Sequence, residues 1–348
     1  MKTKKTGFKH PRDIRVGVIG YGGAFNMGRA HLQEMARAGM TPAAVAELDG
    51  KRLAVATADF PGIATFSSVA EMLKRADVAL ITIITPHNTH AKLSLQCLRA
   101  GKHVVCEKPL AITTAECDAM IEAAKKGGLV LSTYHNRHWD GWILRALEQI
   151  KTKKAIGDIY KIEARMGRRE LPGDWWRTSR SISGGILYDW GVHLLEYGLQ
   201  LAGSTVTEVS GFAHTGYWAP KTRWKADTNE DEGFAVVRFR NGIWMNLTIT
   251  SLDSNVKPGF LEITGTEGSY VITPQNYTIH RREKTRVVTE EGPHLPNEHD
   301  KFYGNIAAHL TRGTKLVITP QWARRPIHIL ELAARSAKLG RALPATDR

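Results

Sequence analysis

The run Arg15-Val16-Gly17-Val18-Ile19 passes directly into Gly20-Tyr21-Gly22-Gly23, and residues 27–38 then read as a helix that stops at Gly39. A β-branched run, a glycine turn and a helix in immediate succession leave the chain one local solution, a β-turn-α unit. The pattern then repeats. Residues 42–46 predict a second strand ending at Glu47, residues 70–74 a helix, and residues 78–84 an apolar run without polar alternation, as in a strand buried on both faces. Residues 90–100 predict a helix closed by Gly101, and residues 103–106 a strand that delivers Glu107 and Lys108. Thr113-Thr114-Ala115-Glu116 is a capping box, followed by Cys117, Met120, Ile121 and Ala124 at helical spacing. Residues 129–133 close the series. Strand–helix alternation up to about Tyr134 predicts a doubly wound parallel sheet, whose ligands lie at the carboxyl ends of its strands.

Beyond Asn136 the rhythm changes. Helices are predicted at 141–151 and 187–202, then strands at 207–212, 233–240, 242–251, 260–264, 269–273 and 286–288, and helices at 302–311 and 321–339. Runs of strands argue for an α+β domain with a large, mostly antiparallel sheet, and Asn241-Gly242 marks a hairpin within it. A chain of 348 residues is long for one compact domain. The expected division is 12–136 for a Rossmann-type dinucleotide-binding domain and 137–348 for a substrate-binding and oligomerisation domain, within the α/β class overall.

Hydrophobic residues make up 42% of the chain, yet none of its runs approaches the ~18 apolar residues of a membrane helix. Lys2, Lys4, Lys5, Lys9 and Arg12 precede no apolar segment of signal-peptide type, and Cys97, Cys106 and Cys117 form no C-x-x-C pair. A reducing cytoplasm fits both. The formal charge of +14 comes from scattered residues and accompanies no nucleic-acid-binding signature, so nucleic acid is not expected as a partner. One concentration stands out: Arg165, Arg168, Arg169, Arg177 and Arg180. Guanidinium groups pair bidentately with carboxylate and phosphate, so these five suit either an anionic substrate or a solvated basic face.

Gly20-x-Gly22 followed by Gly28 is longer by three residues than the compact G-x-G-x-x-G turn. Strand before, helix after and Glu47 at the end of the second strand place it where a dinucleotide pyrophosphate would sit, with the carboxylate on the adenosine ribose. Glu47 favours NAD over NADP, and Lys51 and Arg52 soften the preference. Thr85-Pro86-His87-Asn88-Thr89-His90 ends the doubly buried strand, where Asn88 suits a ribose hydrogen bond and plain turn chemistry is the alternative. Lys108, held between Glu107 and Pro109 at a strand end, is placed as a proton relay or hydroxyl donor. Asp189 and His193 stand four apart, and a single helix running through both puts them on one face. That spacing serves an ion pair, a metal ligand pair or a substrate-binding acid/base pair, and no further ligands at metal spacing accompany it. Trp175-Trp176-Arg177 offers flat apolar faces beside a cation, which suits a sugar ring or an ordinary core.

Together these residues resemble the Gfo/Idh/MocA oxidoreductases along nearly the full length. The matching elements are the turn from Gly20 to Gly28 running into Arg29-Ala30-His31, Thr85-Pro86-x-x-x-His90, Ala100-Gly101-Lys102-His103-Val104, Glu107-Lys108-Pro109, Gly184-Gly185 with Asp189 and His193, and Gly265-Thr266-Glu267-Gly268. The resemblance implies NAD(P) in the crevice between domains, oxidation of a secondary hydroxyl of a sugar, polyol or sugar acid, and a homodimer or homotetramer. It implies Lys108, Asp189 and His193 as the catalytic trio, with His193 the base. For the cofactor it implies Gly20, Gly22, Phe25, Asn26, Met27, Glu47, Thr85, Pro86, Asn88, His90, Glu107, Lys108, Asn136, Trp176 and Arg177, and for the substrate Lys108, Arg137, Trp175, Asp189 and His193. No metal is implied. Two other activities are compatible with the same family: a redox-cycling glycosidase or epimerase that retains its NAD, and a sugar- or dinucleotide-sensing regulator without turnover.

Overall fold

The computed structural model describes residues 7–345, so Lys2, Lys4 and Lys5 lie outside the described residues. The chain divides into two compact units: one runs to Asn136 and takes in Asp300–Arg324, the other comprises Arg137–His299 and the chain from Arg325.

In the first unit six strands, β1 (Arg15–Ile19), β2 (Thr41–Ala46), β3 (Ala64–Phe66), β4 (Leu80–Ile83), β5 (His103–Cys106) and β6 (Leu131–Thr133), form a sheet in the order β3-β2-β1-β4-β5-β6. All neighbours are parallel. The doubly wound sheet is therefore present, and its order reverses between β1 and β4, the switch point at which such sheets bind ligands. Helices α1 (Met27–Arg37), α2 (Gly50–Asp59), α3 (Val69–Arg75), α4 (His90–Arg99) and α5 (Thr114–Gly127) connect the strands. Every residue of β4 is buried, which accounts for its lack of alternation. At α5 the capping box is complete: Thr113 Oγ1 accepts from Glu116 N at 3.2 Å, and Glu116 Oε2 accepts from Thr113 N at 3.1 Å. Strand β3 was not predicted, because it has three residues and two of them are exposed.

The second unit opens with α6 (Gly141–Leu147), α7 (Arg180–Ser183) and α8 (Gly191–Ala202). Its nine strands are β7 (Ile159–Gly167), β8 (Val206–His214), β9 (Glu232–Phe239), β10 (Trp244–Thr250), β11 (Leu261–Gly265), β12 (Gly268–Ile272), β13 (Asn276–Glu283), β14 (Arg286–Pro293) and β15 (Leu343–Pro344). They lie in the order β14-β13-β12-β11-β7-β10-β9-β8-β15. Only β7 and β10 run parallel; the other neighbours are antiparallel, as expected. Helix α8 covers one face of the sheet so closely that a Cβ at Gly198 would come within 2.3 Å of the Met245 sulfur. Ile162, Ala164, Ala235, Val237, Met245 and Leu247 are buried, each large side chain contributing ~1.5–3 kcal/mol.

Two helix predictions need correction. The helix expected over 141–151 is α-helical only to Leu147 and continues as a π-helical turn, Glu148–Thr152. The helix expected from Leu187 begins at Gly191, after a 3-10 turn at Ile186–Tyr188, so Asp189 stands before the helix and the expected shared helix face does not exist. The apolar residues of that short turn continue the helical spacing, which is why the boundary was misread.

Helices α9 (Lys301–Arg312) and α10 (Pro320–Leu339) lie between β14 and β15. The return of Asp300–Arg324 to the first unit differs from the continuous division expected, and specific contacts hold it. Ser132 Oγ donates to the Ile318 carbonyl at 2.8 Å, Arg324 Nε pairs with Asp118 at 2.5 Å, and Phe302 packs edge-on against Tyr134 at 5.0 Å. Among the described residues no helix is long and apolar enough to cross a membrane.

Candidate active site

At the switch point of the first unit, each glycine of the turn has its own spatial reason. Gly20 has φ +100°, and a Cβ there would lie 2.1 Å from the Ile84 carbonyl oxygen, so the turn hugs the end of β4. A Cβ at Gly28 would strike the Tyr21 ring at 2.6 Å, so α1 leaves the strand at close range. Gly22, by contrast, faces open space within 4 Å. Tight turn, open approach and close helix packing are the requirements of a pyrophosphate cradle, and the three-residue insertion leaves them intact. Asn26, at φ 51°, precedes α1 without a side-chain cap, so first-turn N–H groups remain available to an anion. Phe25, with 57% of its surface exposed, and Met27 flank it. Tyr21 Oη and Arg29 Nε both bond Asp59 at 2.7 Å, which pins the turn to α2. Burial first, then Asp59, pushes the Tyr21 hydroxyl well above its usual value and keeps it a donor.

Glu47 follows β2 with its carboxylate fixed by three backbone amides: Tyr21 N to Oε2 at 2.6 Å, and Leu48 N and Asp49 N to Oε1 at 2.7 and 3.2 Å. It is a held charge, not a swinging one. Arg52 lies on the other side of the turn, where a Cβ at Gly23 would meet its guanidinium at 1.6 Å.

Around Lys108 the support is buried. His90 is fully buried and joins two segments, with Nδ1 2.7 Å from the Pro109 carbonyl and Nε2 2.8 Å from the Thr85 carbonyl. Burial holds its pKa below the ordinary value, against the pull of those carbonyls. Thr85 and Thr89 hydroxyls lie 2.6 Å apart, and Thr89 also donates to the Pro86 carbonyl at 2.6 Å, while Asn88 is exposed in the same turn. Glu107 Oε2 accepts the Lys108 backbone N–H at 3.0 Å, and Oε1 lies 3.0 Å from His31 Nε2. Burial disfavours the Glu107 charge, but the His31 hydrogen bond and field, then Lys108, hold its pKa below the usual carboxylate value. His31 Nδ1 lies 2.7 Å from Tyr303 Oη, which is 3.0 Å from Thr82 Oγ1. An imidazole donating from Nε2 to Glu107 accepts at Nδ1 from Tyr303. His31 carried a sequence signal through the glycine-turn motif; Tyr303 and Thr82 carried none, since their contact forms only when the chain returns. Asn136 ends the first of this unit's two stretches of chain and opens a 3-10 turn.

In the second unit His193, 5% exposed, is the third residue of α8. Its backbone N–H bonds the Trp190 carbonyl at 3.0 Å, and its ring meets the Trp190 indole edge-on at 5.5 Å. The same indole lies 4.7 Å below the Arg137 guanidinium. Arg137 Nη1 donates to Asp140 Oδ2 at 3.2 Å; Tyr197, one helical turn after His193, bonds the same carboxylate, whose Oδ1 is 2.5 Å from His299 Nε2. Asp189 lies 3.9 Å from Arg177 Nε, and the Arg177 guanidinium is 4.9 Å from both the Trp175 and Trp176 rings. Trp190 was not singled out in the sequence, although it links Arg137 to His193. Among the described residues no three His, Cys, Asp or Glu side chains are grouped to hold a metal.

The chain is similar to known proteins. The family model for oxidoreductases with an NAD-binding Rossmann fold, Gfo/Idh/MocA, matches residues 14–135, and the model of the C-terminal domain of the same group matches residues 144–271. Uncharacterized oxidoreductase YdgJ of Escherichia coli is 27% identical over 94% of this chain and 97% of its own. Levoglucosan dehydrogenase of Pseudarthrobacter phenanthrenivorans is 30% identical over 79% of this chain and 76% of its own. The crystal structure of an NAD-binding protein from Listeria innocua superposes with a TM-score of 0.80 at 26% identity, covering 95% of this chain and 97% of that one.

Proposed function

Because the chain belongs to the Gfo/Idh/MocA oxidoreductase family, we propose that it is a dehydrogenase that oxidises a secondary hydroxyl of a sugar, polyol or sugar acid. The observation that carries this reading is the separate anchoring of each acid/base group: Lys108 beside a Glu107 fixed by His31, and His193 at the start of α8 against Trp190. Similarity to a levoglucosan dehydrogenase supports a carbohydrate as the substrate class.

The glycine turn and the first turn of α1 would hold the pyrophosphate of NAD, Glu47 the adenosine ribose, and Thr85, Pro86 and Asn88 the nicotinamide half. NAD, when bound, supplies the hydride acceptor. His193 takes the hydroxyl proton as general base, Asp189 orients the substrate, and Lys108 donates a hydrogen bond to the reacting oxygen. A held Glu47 carboxylate rewards a free ribose 2′-hydroxyl and repels a 2′-phosphate, so NAD is preferred to NADP. Trp175 and Arg137 offer an aromatic face and a cation to the substrate.

The test is a panel of sugars, polyols and uronic acids assayed for NADH formation, run beside a spectral scan of the purified protein for bound dinucleotide. NADH accumulating with one of them supports the proposal. Bound dinucleotide without net NADH points to the cofactor-retaining activity, and binding without any redox change points to a sensor.

A further inference from the structure

The five arginines singled out in the sequence are not equivalent. Arg165 pairs with Asp253, Arg168 with Glu170 at 2.6 Å, Arg177 with Asp189 at 3.9 Å and Arg180 with Glu230 at 3.3 Å. Arg169 has no such partner. Its guanidinium lies 5.1 Å from the Tyr217 ring centre and 5.8 Å from that of Trp218, and it donates to the Tyr217 hydroxyl. Lys221 Nζ shares the same two rings, at 4.5 and 4.8 Å. Among the described residues, no carboxylate comes within 4.0 Å of Arg169 or Lys221. The nearby Asp231 carboxylate is buried and turned onto backbone, accepting from Tyr217 N at 2.8 Å and Trp218 N at 3.0 Å.

Two exposed cations therefore converge on one aromatic pair, and their mutual repulsion is left for a ligand to relieve. The platform is fixed. Trp218 Nε1 donates to the Ser251 carbonyl at 3.2 Å, and Tyr217 keeps 43% of its surface exposed. It is also fastened to the segment that carries Trp175 and Arg177. Asn229 Nδ2 donates to the Arg177 carbonyl at 2.6 Å, Asn229 N to the Thr178 carbonyl at 2.9 Å, and Arg223 pairs with Asp174 at 2.8 Å.

We propose that Arg169, Lys221, Tyr217 and Trp218 form a subsite for a carboxylate-bearing sugar ring, so that the preferred substrate is an acidic carbohydrate. A carboxylate between the two cations makes charge-assisted hydrogen bonds, and the ring beside it stacks on the exposed aromatic face. The choice of a sugar, as opposed to another anion, rests on the dehydrogenase reading above.

Calorimetric titration of the NADH-loaded protein with an aldobiouronic acid and with its carboxyl-reduced, neutral counterpart tests the subsite. Wild type should bind the acid at least about tenfold more tightly at low salt, the scale of one charge-assisted hydrogen bond. In about 1 M NaCl, where the Debye length is about 3 Å, the advantage should largely vanish. R169A/K221A should lose the advantage while keeping the neutral sugar's affinity and the thermal unfolding temperature. Arg168→Ala, whose guanidinium is already paired, should keep it. Equal binding of the two sugars by wild type, no binding of the acid, or an unchanged preference in R169A/K221A would each overturn the subsite. So would a single-stranded oligonucleotide that binds more tightly than the acid and depends on the same two residues. NADH formation is read separately. Charge-dependent binding without NADH from either sugar retains the subsite and removes the dehydrogenase, and NADH from both without charge preference does the reverse.

Discussion

Single residues carry the sharpest consequences. His193→Asn keeps size and hydrogen-bonding capacity, so loss of the proposed general base should lower kcat ~10²–10⁴-fold while dinucleotide affinity stays near wild type. Only the neutral imidazole accepts a proton, so wild-type oxidation should fall on the acid side as it protonates. Steady-state kcat against pH checks both, and a variant with wild-type kcat and an unmoved acid limb would assign the base elsewhere. Glu47 makes a second case. Its carboxylate satisfies three backbone amides, so Glu47→Ser should both weaken the preference for NAD over NADP and lower the unfolding temperature. Binding titrations with both dinucleotides decide it; a wild-type preference for NADP, or an unchanged ratio in the variant, removes the ribose assignment. Glu47 and Lys108 were legible as residue types at strand ends, and His193 through its four-residue spacing from Asp189. Their supports were less so, because His31, Tyr303 and Thr82 meet across 272 and 221 positions of chain.

Elements add effects that belong to a segment. The capping box of α5 satisfies two backbone donors, so Thr113→Ala should cost about 1 kcal/mol in urea unfolding. Strand β5 begins with His103, whose Nδ1 accepts the Val130 N–H at 2.9 Å. Burial, then the field of His309, pushes this imidazole down to about 4. In the unfolded chain it protonates near the ordinary value of ~6.5, so between these two values the unfolded state binds more protons. Its stabilisation, up to roughly 3 kcal/mol, is therefore present at neutral pH and lost as pH falls through that window. Urea midpoints at pH 7.5 and pH 5 should show a smaller acid loss for His103→Asn, which keeps an acceptor but cannot titrate. An equal loss in both proteins would mean that His103 does not carry the effect. The same scale shows why α8 was misplaced: Ile186–Tyr188 keep helical spacing in a 3-10 turn, and periodicity alone does not separate the two.

At the scale of the whole molecule, the face of the nine-stranded sheet opposite α8 presents Phe212 and Trp244 with 61% and 38% of their surfaces exposed. Family membership and this apolar exposure lead us to expect a homo-oligomer joined through that face. Phe212→Lys with Trp244→Glu should shift sedimentation toward the monomer; unchanged sedimentation would place the interface elsewhere. Local sequence sufficed for five of the six strands of the first unit's sheet, all but the short, exposed β3, because parallel strands buried on both faces and glycine-punctuated helices announce themselves within ten residues or so. It also sufficed to mark the strand-end lysine and the glycine turn, whose residue types stand directly after β5 and β1 in the chain. Tertiary structure alone decided the rest. Strand β7, at the centre of the second sheet, alternates buried Ile162 and Ala164 with Lys161, Glu163 and Arg165, and becomes a strand through distant partners, Trp244–Thr250 on one side and Leu261–Gly265 on the other. The return of Asp300–Arg324 to the first unit, the Tyr303 support of His31, and the pairing of Arg165 with Asp253 and of Arg180 with Glu230 arise from contacts between distant segments. Pattern records what a segment prefers, whereas charge neutralisation and burial depend on which segments meet.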